Sequence, residues 1–301
     1  MLNCTQMTDI TLSYIITTRN KLSSLQRVIE KLHSNKLPNE EIIIADGAST
    51  DGTKEYLEKL LQDGVIDILI SEPDKGEAHG FNKCMMRARG IVIKVLTDDD
   101  DFHYPSIKKC ARFMIEHPEI DLLATNGGKK PFDLTSQVGK FSYEGDYTRW
   151  LHKKTPFSFC GLGLMIRKDS IPIIGLFSTN FIRVDAEFAL RVSSSKANIA
   201  WYTGVSFVHI ANPRGNTITM HHRIAEETIK LDYLYFDKKP SLFNLLRKDI
   251  INVVKKSAII NNKDLLTPQP QDSAFLKKIF STCDQWLATT EQESLGKFLF
   301  K

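Results

Sequence analysis

The chain has 301 residues, of which 42% are hydrophobic and 25% charged, the usage of a soluble globular protein, which excludes a disordered or fibrous chain. Forty Lys and Arg residues against 36 Asp and Glu residues leave a net charge of +4, which suits an anionic ligand but excludes nucleic acid as the main partner. The five cysteines are dispersed without metal-ligand spacing, which predicts reduced thiols and a cytoplasmic location.

Apolar runs alternate with amphipathic helical patterns over the first 126 residues. Near-continuous apolar runs predict buried strands, whereas apolar side chains three or four residues apart predict helices. The predicted strands cover residues 10–17, 41–45, 66–70, 91–96 and 121–125, and the predicted helices cover residues 22–34, 51–61, 77–88 and 105–116. Such alternation is typical of right-handed βαβ units, so we predict an α/β fold with a mostly parallel sheet flanked by helices.

The pattern loosens after residue 126. Residues 127–157 are polar and rich in turn-forming side chains, an apolar stretch covers residues 157–166, and a helical pattern covers residues 185–193. Apolar and basic residues over 241–256 have helical spacing, which predicts a helical C-terminal extension.

Four consecutive aspartates, Asp98 to Asp101, follow the strand predicted over residues 91–96. Ligands of open α/β sheets bind outside the carboxyl ends of the strands. Four carboxylates at such a point repel one another, and a divalent cation among them would relieve that repulsion. Ligands that are all oxygen suit magnesium or manganese. The alternative is an acidic helix N-terminus that the helix dipole stabilises without a metal.

Polar side chains also follow the first three predicted strands. Thr17 and Arg19 end the first strand, Asp46 ends the second, and Asp74 lies in the loop after the third. Because the carboxyl ends of parallel strands meet at one edge, we expect these side chains to converge with the aspartates. The sequence contains neither GxGxxG nor GxxxxGK[ST], which argues against a Rossmann dinucleotide site and a P-loop kinase or ATPase.

In this order and spacing, the segments resemble the nucleotide-sugar-binding half of a family-2 glycosyltransferase with the GT-A fold. The resemblance is carried by residues 15–20, 42–53, 72–76 with Ala78, Asn82 and Lys83, 88–90 and 96–101. It is close over residues 9–126 and looser over residues 157–220. It implies a nucleotide-sugar-binding half over 1–126 and an acceptor-binding, catalytic half of the same domain over 127–220. Residues 221–301 form the C-terminal extension, outside the resemblance.

The resemblance implies roles in donor binding for residues at the strand ends. In the family, one carboxylate accepts a hydrogen bond from the base and a second contacts the base or ribose. Asp46 and Asp74 match these two positions. The donor-binding residues implied in this way are Thr17, Arg19, Asp46, Asp74, Lys83 and Asp98.

The aspartate run matches the family's Asp-x-Asp metal motif, with Thr97 where the first Asp is usual. This register places Asp99 on a Mn²⁺ or Mg²⁺ ion, and a shift of one residue would place Asp100 there. His209 falls where some relatives have a metal or diphosphate ligand, although a lone His after an apolar strand is also typical of a packed histidine.

Asp185 matches the family's aspartate that deprotonates the acceptor hydroxyl, with Val184 where the family has Glu. The alternative is an ordinary helix N-terminus with a Glu187–Arg191 pair. Arg214 and Thr217 would close over the diphosphate.

The resemblance implies a metal-dependent inverting glycosyltransferase that moves a sugar from a nucleoside-diphosphate sugar to a hydroxyl of a glycan or lipid-linked acceptor, in surface-polysaccharide or glycan assembly. A nucleotidyltransferase of similar fold and a catalytically silent nucleotide- or glycan-binding module stay open as alternatives. The basic amphipathic pattern over residues 241–256 is open to peripheral contact with the inner face of a membrane, to packing on the catalytic domain, or to a homodimer through the C-terminal helices.

Overall fold

A computed structural model describes residues 9–213, 215, 219–238 and 273–301. Strands and helices alternate in its first half, as the sequence predicts. The elements are β1 (Leu12–Thr18), α1 (Leu22–Asn35), β2 (Glu40–Asp46), α2 (Thr53–Gln62), β3 (Ile68–Ser71), α3 (Glu77–Arg87), β4 (Val92–Leu96), β5 (Asp101–Phe102) and α4 (Tyr104–Glu116). Each predicted boundary in this half lies within a few residues of the observed one.

The first four strands pair with one another only in parallel. β1 lies between β2 and β4 and is parallel to both, and β3 is parallel to β2. Every residue of β2 and β4 is buried, because helices cover both faces of the sheet. Side chains alternate between two cores, so Tyr14 and Ile16 pack on one face and Ile15 on the other. The predicted α/β fold is confirmed.

The second half makes the sheet mixed. Its elements are β6 (Leu122–Pro131), β7 (Gly139–Phe141), α5 (Glu144–Lys153), a 3₁₀ turn (Gly161–Gly163), β8 (Met165–Arg167), a second 3₁₀ turn (Lys168–Ser170), α6 (Ile171–Ile174), α7 (Val184–Ser193) and β9 (Ile199–Ala211). β8 is antiparallel to β4 and β6, whereas β6 and β9 are parallel. The polar segment after residue 126 therefore contains the strand β7 and the helix α5, which its pattern does not predict.

The described C-terminal elements pack on this sheet. They are α8 (His221–Phe236), α9 (Ser273–Ser294) and β10 (Phe298–Leu299). One stripe of α9 is buried in the same core as β9, with Ile279, Phe280, Cys283 and Leu287 at helical spacing. β10 pairs antiparallel with β9 and gives the order β10-β9-β6-β8-β4-β1-β2-β3, with β5 beside β9 and β7 beside β6.

The amphipathic pattern over residues 241–256 lies outside the described residues. Among the helices that the structure does describe, none is long and apolar enough to cross a membrane.

Candidate active site

The carboxyl ends of β1, β2, β3 and β4 bring the predicted polar side chains to one edge of the sheet. In the strand register Thr18 stands opposite Asp46, and Asp46 stands opposite Ser71. Thr18 Oγ1 also donates a hydrogen bond of 2.8 Å to Asp98 Oδ2, beyond the end of β4. Four strand ends thus form one polar surface, as the sequence predicts.

Asp46 is completely buried at this edge. Its carboxylate accepts hydrogen bonds from Ser71 Oγ at 2.8 Å and from the Ser49 backbone N–H at 3.1 Å. These bonds hold the loop after β2 against β3, where Ala48 has a positive φ of 59°. Asp46 therefore shapes the loop that borders the site.

Two glycines bring the ends of β1 and β2 close to α3. A Cβ on Gly80 would overlap Thr17 Oγ1, and a Cβ on Gly47 would lie 3.1 Å from Asp74 Oδ2 and 3.6 Å from Arg19 Cβ. Thr17, Arg19, Gly47, Asp74 and Gly80 are therefore neighbours, and we call them the strand-end cluster. A glycine at each of the two positions allows this close packing.

Lys83 on α3 pairs with Asp74 of the strand-end cluster. Its Nζ lies 2.6 Å from Asp74 Oδ1 and 3.1 Å from Glu72 Oε1. Burial opposes the charged form, but the hydrogen bonds to these two carboxylates raise the pKa of Lys83 above its ordinary value. Lys83 therefore stays charged and orients Asp74.

The aspartate run divides into two pairs. Asp98 and Asp99 face a lysine that the sequence reasoning missed, Lys21, in the turn between β1 and α1. The Lys21 ammonium donates to Asp99 Oδ2 and lies 3.8 Å from Asp98 Oδ1, and Asn212 Nδ2 donates to the same Asp99 oxygen at 2.9 Å. Burial, and then the charge of Asp99, raise the pKa of Asp98 above its usual range, although Lys21 opposes them.

Asp100 turns away from this pair and fixes the end of β9. Its Oδ1 accepts hydrogen bonds from the Ile210 N–H at 2.7 Å and His209 Nδ1 at 3.0 Å, and its Oδ2 accepts one from Thr97 Oγ1 at 2.6 Å. Burial opposes protonation of His209, but the bond to Asp100 raises the pKa of the imidazole above its ordinary value. Both oxygens of Asp100 thus accept protein donors, and they tie the end of β4 to β9.

Asp101 is the other aspartate that leaves the site. It lies 2.7 Å from Lys31 Nζ, and the same ammonium pairs with Asp284 on α9. Within the described ranges, no three His, Cys, Asp or Glu side chains lie close enough to hold a metal. The predicted set of Asp99, Asp100 and His209 is therefore not assembled as a three-ligand site.

Asp185 lies in the first turn of α7. Its carboxylate accepts hydrogen bonds from the Ala186 N–H at 2.8 Å and the Gly161 N–H at 3.2 Å. Glu227 on α8 accepts the Ile182 and Arg183 N–H groups at 2.9 Å and so fixes the chain just before Asp185. The N-terminus of α7 is therefore held from both sides.

The Glu187–Arg191 pair, which the alternative reading of this segment expects, is also present at 2.8 Å. Arg191 donates to the Leu176 carbonyl at 2.7 Å as well, which gives the pair a structural role. The pair therefore ties α7 to the preceding segment, whereas Asp185 makes its own hydrogen bonds at the start of the same helix.

Glu77, the first residue of α3, is a carboxyl group that the charges of the aspartate pair and of Asp185 both influence. Burial, together with the charges of Asp185, Asp98 and Asp99, raises the pKa of Glu77 to about 8, against the opposing charge of Lys21. The pKa of Glu77 therefore depends on the charges of both the aspartate pair and Asp185. Its position directly after the 72–76 loop was the available sequence signal.

Lys94, in the middle of β4, is completely buried beneath the site. Its ammonium donates to the Leu162 carbonyl and, at 3.3 Å, to the Leu164 carbonyl. Leu162 lies in the 3₁₀ turn that begins at Gly161, and Leu164 follows that turn. Gly161 is the residue whose N–H donates to Asp185. Arg214 and Thr217, which are predicted to close over the diphosphate, lie outside the described residues.

A mixed α/β sheet with carboxylates at its strand ends, facing an aspartate at a helix N-terminus, defines the class of GT-A glycosyltransferases. The sequence model of "Glycosyl transferase family 2" matches residues 13–171, more than half of the chain. The chain therefore belongs to glycosyltransferase family 2, as its sequence predicts.

The "Putative teichuronic acid biosynthesis glycosyltransferase TuaG" of Bacillus subtilis (strain 168) is 30% identical over 105 residues, which are 35% of this chain and 42% of that protein. The match thus spans less than half of that relative's length.

Two solved structures share the fold. S. aureus TarS 1-349 in complex with UDP-GlcNAc has a TM-score of 0.55 at 16% identity, over 75% of this chain and 65% of that one. The mannosyltransferase PcManGT from Pyrobaculum calidifontis in complex with GDP-Man and Mn²⁺ has a TM-score of 0.54 at 15% identity, over 94% and 73%. At these identities the likeness shows the fold alone.

Proposed function

We propose that the protein is a metal-dependent inverting glycosyltransferase that moves a sugar from a nucleoside-diphosphate sugar to a hydroxyl of a glycan or lipid-linked acceptor. The observation that carries this proposal is the 3₁₀ turn between the two parts of the site: Lys94 on β4 donates to the Leu162 and Leu164 carbonyls, and the Gly161 N–H donates to Asp185. The strand that ends before the aspartates and the candidate base therefore both contact one short segment, which supports a single site for donor and acceptor.

The nucleoside would bind beside the strand-end cluster. Asp74 brings a carboxylate oxygen next to Gly47 and Gly80 and would contact the base or ribose. Thr17 and Arg19 lie beside the same two glycines, and Asp46 fixes the neighbouring loop. Lys83 orients Asp74, and Asp98, which is held by Thr18, is placed for the ribose.

The donor set at the aspartate pair fits a divalent ion. Asp99 supplies a carboxylate, and the His209 Nδ1 bond to Asp100 leaves Nε2 as the nitrogen for a ligand, a common arrangement at metal sites. A Mn²⁺ or Mg²⁺ ion, when bound, would offset the charge that develops on the leaving diphosphate. The Mn²⁺ in the PcManGT complex supports this choice.

Asp185 would accept the proton of the acceptor hydroxyl as that oxygen attacks the anomeric carbon from the face opposite the diphosphate. The bond to the diphosphate oxygen breaks as the new glycosidic bond forms, so one displacement inverts the configuration. The Gly161 and Ala186 N–H groups hold the carboxylate in one orientation.

The likeness to TuaG supports a role in surface-polysaccharide assembly. We include a cytoplasmic location, with peripheral contact at the inner face of the membrane, in this proposal.

Release of nucleoside diphosphate from a panel of UDP- and GDP-sugars, with Mn²⁺ and with excess chelator, tests the function directly. We expect turnover of at least one donor in Mn²⁺ and its loss in chelator. Full activity in chelator would refute the metal dependence. If no donor is turned over and none raises the melting temperature, the transferase proposal itself fails.

A further inference from the structure

Lys21 places a positive charge at the point where the aspartate pair would hold a metal. Its ammonium donates to Asp99 Oδ2 and lies 3.8 Å from Asp98 Oδ1. The three side chains are well shielded from water, with 19%, 16% and 12% of Lys21, Asp99 and Asp98 exposed. An ion pair at this depth is screened much less than one on the surface.

The backbone of Lys21 is fixed while its side chain is long. The Lys21 carbonyl accepts hydrogen bonds from the Leu25 N–H at 3.0 Å and from Ser24 Oγ at 3.1 Å, which anchors it at the start of α1. The flexible four-carbon stem of lysine lets the ammonium exchange one anion for another within its reach. Lys21 can therefore change partner without any movement of α1.

A metal ion and the ammonium cannot both occupy this position. Asp99 Oδ2 already accepts donors from Lys21 and Asn212, and a cation bound to that oxygen would repel the ammonium beside it. If the metal arrives alone, Lys21 loses its anionic partner. If the metal arrives with a diphosphate, the ammonium gains a new one.

We propose that Lys21 is a resident counter-cation, which neutralises Asp98 and Asp99 in the donor-free protein and transfers to the diphosphate when metal and nucleotide bind together. This inference rests on the proposed function. Its consequence is that a divalent ion binds weakly by itself and that metal and nucleotide strengthen each other's binding by the same factor.

Titration with Mn²⁺, read from the electron paramagnetic resonance signal of the free ion, tests this proposal on the full chain with and without UDP or GDP. Lys21→Met removes the ammonium and keeps an apolar stem. Lys36→Met is the matched control, because Lys36 is similarly shielded, at 16% exposure, and lies 2.8 Å from Asp67 at the other end of α1.

Without nucleotide, we expect Lys21→Met to bind Mn²⁺ about tenfold more tightly than wild type, because the ion no longer displaces a charged hydrogen bond. Nucleotide should then strengthen Mn²⁺ binding less in Lys21→Met than in wild type. Lys36→Met should match wild type in both conditions. Equal Mn²⁺ affinity of Lys21→Met and wild type, or equal synergy with nucleotide, would overturn the proposal.

Amine labelling of the wild-type protein, read by mass spectrometry, provides a second measurement that does not depend on a variant's folding. Saturating Mg²⁺ without nucleotide should release Lys21 and raise its labelling rate, with Lys36 unchanged. No change at Lys21, or no binding of Mn²⁺ or Mg²⁺ under any condition, overturns the proposal. Donor turnover in excess chelator would overturn it too, while leaving the transferase function intact.

Discussion

Replacing Lys94 by methionine is expected to stabilise the protein at neutral pH. Burial lowers the pKa of Lys94 to about 7 from 10.5, against the opposing influence of Cys110 and Cys160. Such a change corresponds to about 5 kcal/mol of interaction that the charged form loses on folding. Methionine has a similar length and carries no charge, so it removes this cost.

The sign of the pH dependence follows from proton binding. Between pH 7 and 10.5 the unfolded chain carries a proton on Lys94 that the folded chain has released, so wild-type stability rises with pH. From pH 7 to pH 9.5 this gain amounts to about 3 kcal/mol. Methionine forfeits the bonds to the Leu162 and Leu164 carbonyls, which contribute about 1 kcal/mol each.

We therefore expect Lys94→Met to be about 2 kcal/mol more stable than wild type at pH 7 and slightly less stable at pH 9.5. Urea unfolding at pH 7, 8 and 9.5, followed by tryptophan fluorescence, measures the difference. Lys59→Met on the exposed face of α2 controls for the change in net charge. A difference between wild type and Lys94→Met that stays constant over this range would refute the reasoning that a desolvated ammonium lies in the core.

Three further tests concern the site. Asp185→Asn keeps the shape but not the basicity, so kcat should fall by about 10²–10⁴-fold with unchanged donor affinity in calorimetry; near wild-type turnover would move the base elsewhere. Gly80→Ala should lower the free energy of unfolding by about 1–3 kcal/mol, because its Cβ would overlap Thr17, whereas Gly145→Ala, where a Cβ meets open space, should lose no stability in the same urea titration. Asp99→Asn should lose Mn²⁺ binding and Asp101→Asn should keep it; the reverse result would shift the metal register.

The first half of the fold was predictable because its signals are local. β2 and β4 are buried along their whole length, and most of their residues are therefore apolar: Ile42 to Ala45 in β2, and every residue of β4 except Lys94. By contrast, α5 buries only Tyr147 and Trp150, which is too narrow a stripe to reveal a helix in a polar segment. β8 has three residues and pairs antiparallel with β4, so the apolar stretch over 157–166 gave little indication of it.

The candidate site was predictable in its residue types and not in its pairings. Four adjacent aspartates are alike in the sequence, and their partners distinguish them: Asp99 meets Lys21, which lies 78 positions away, and Asp100 meets Ile210, which lies 110 away. Contacts of that separation leave no local pattern. Lys21 had a signal, because it follows Asn20 in the turn after β1, but a lysine in a turn is by default a solvated one.

The two aspartates that leave the cleft explain how elements beyond the family match, which ends at residue 171, are tied to it. Asp100 holds His209 and the end of β9, and Asp101, through Lys31, holds Asp284 on α9. The first two aspartates, Asp98 and Asp99, therefore place negative charge in the candidate site. The last two, Asp100 and Asp101, stabilise the positions of β9 and α9. Since Glu227 on α8 fixes Ile182 and Arg183, just before Asp185, the position of the candidate base depends on packing that the matched segment does not contain.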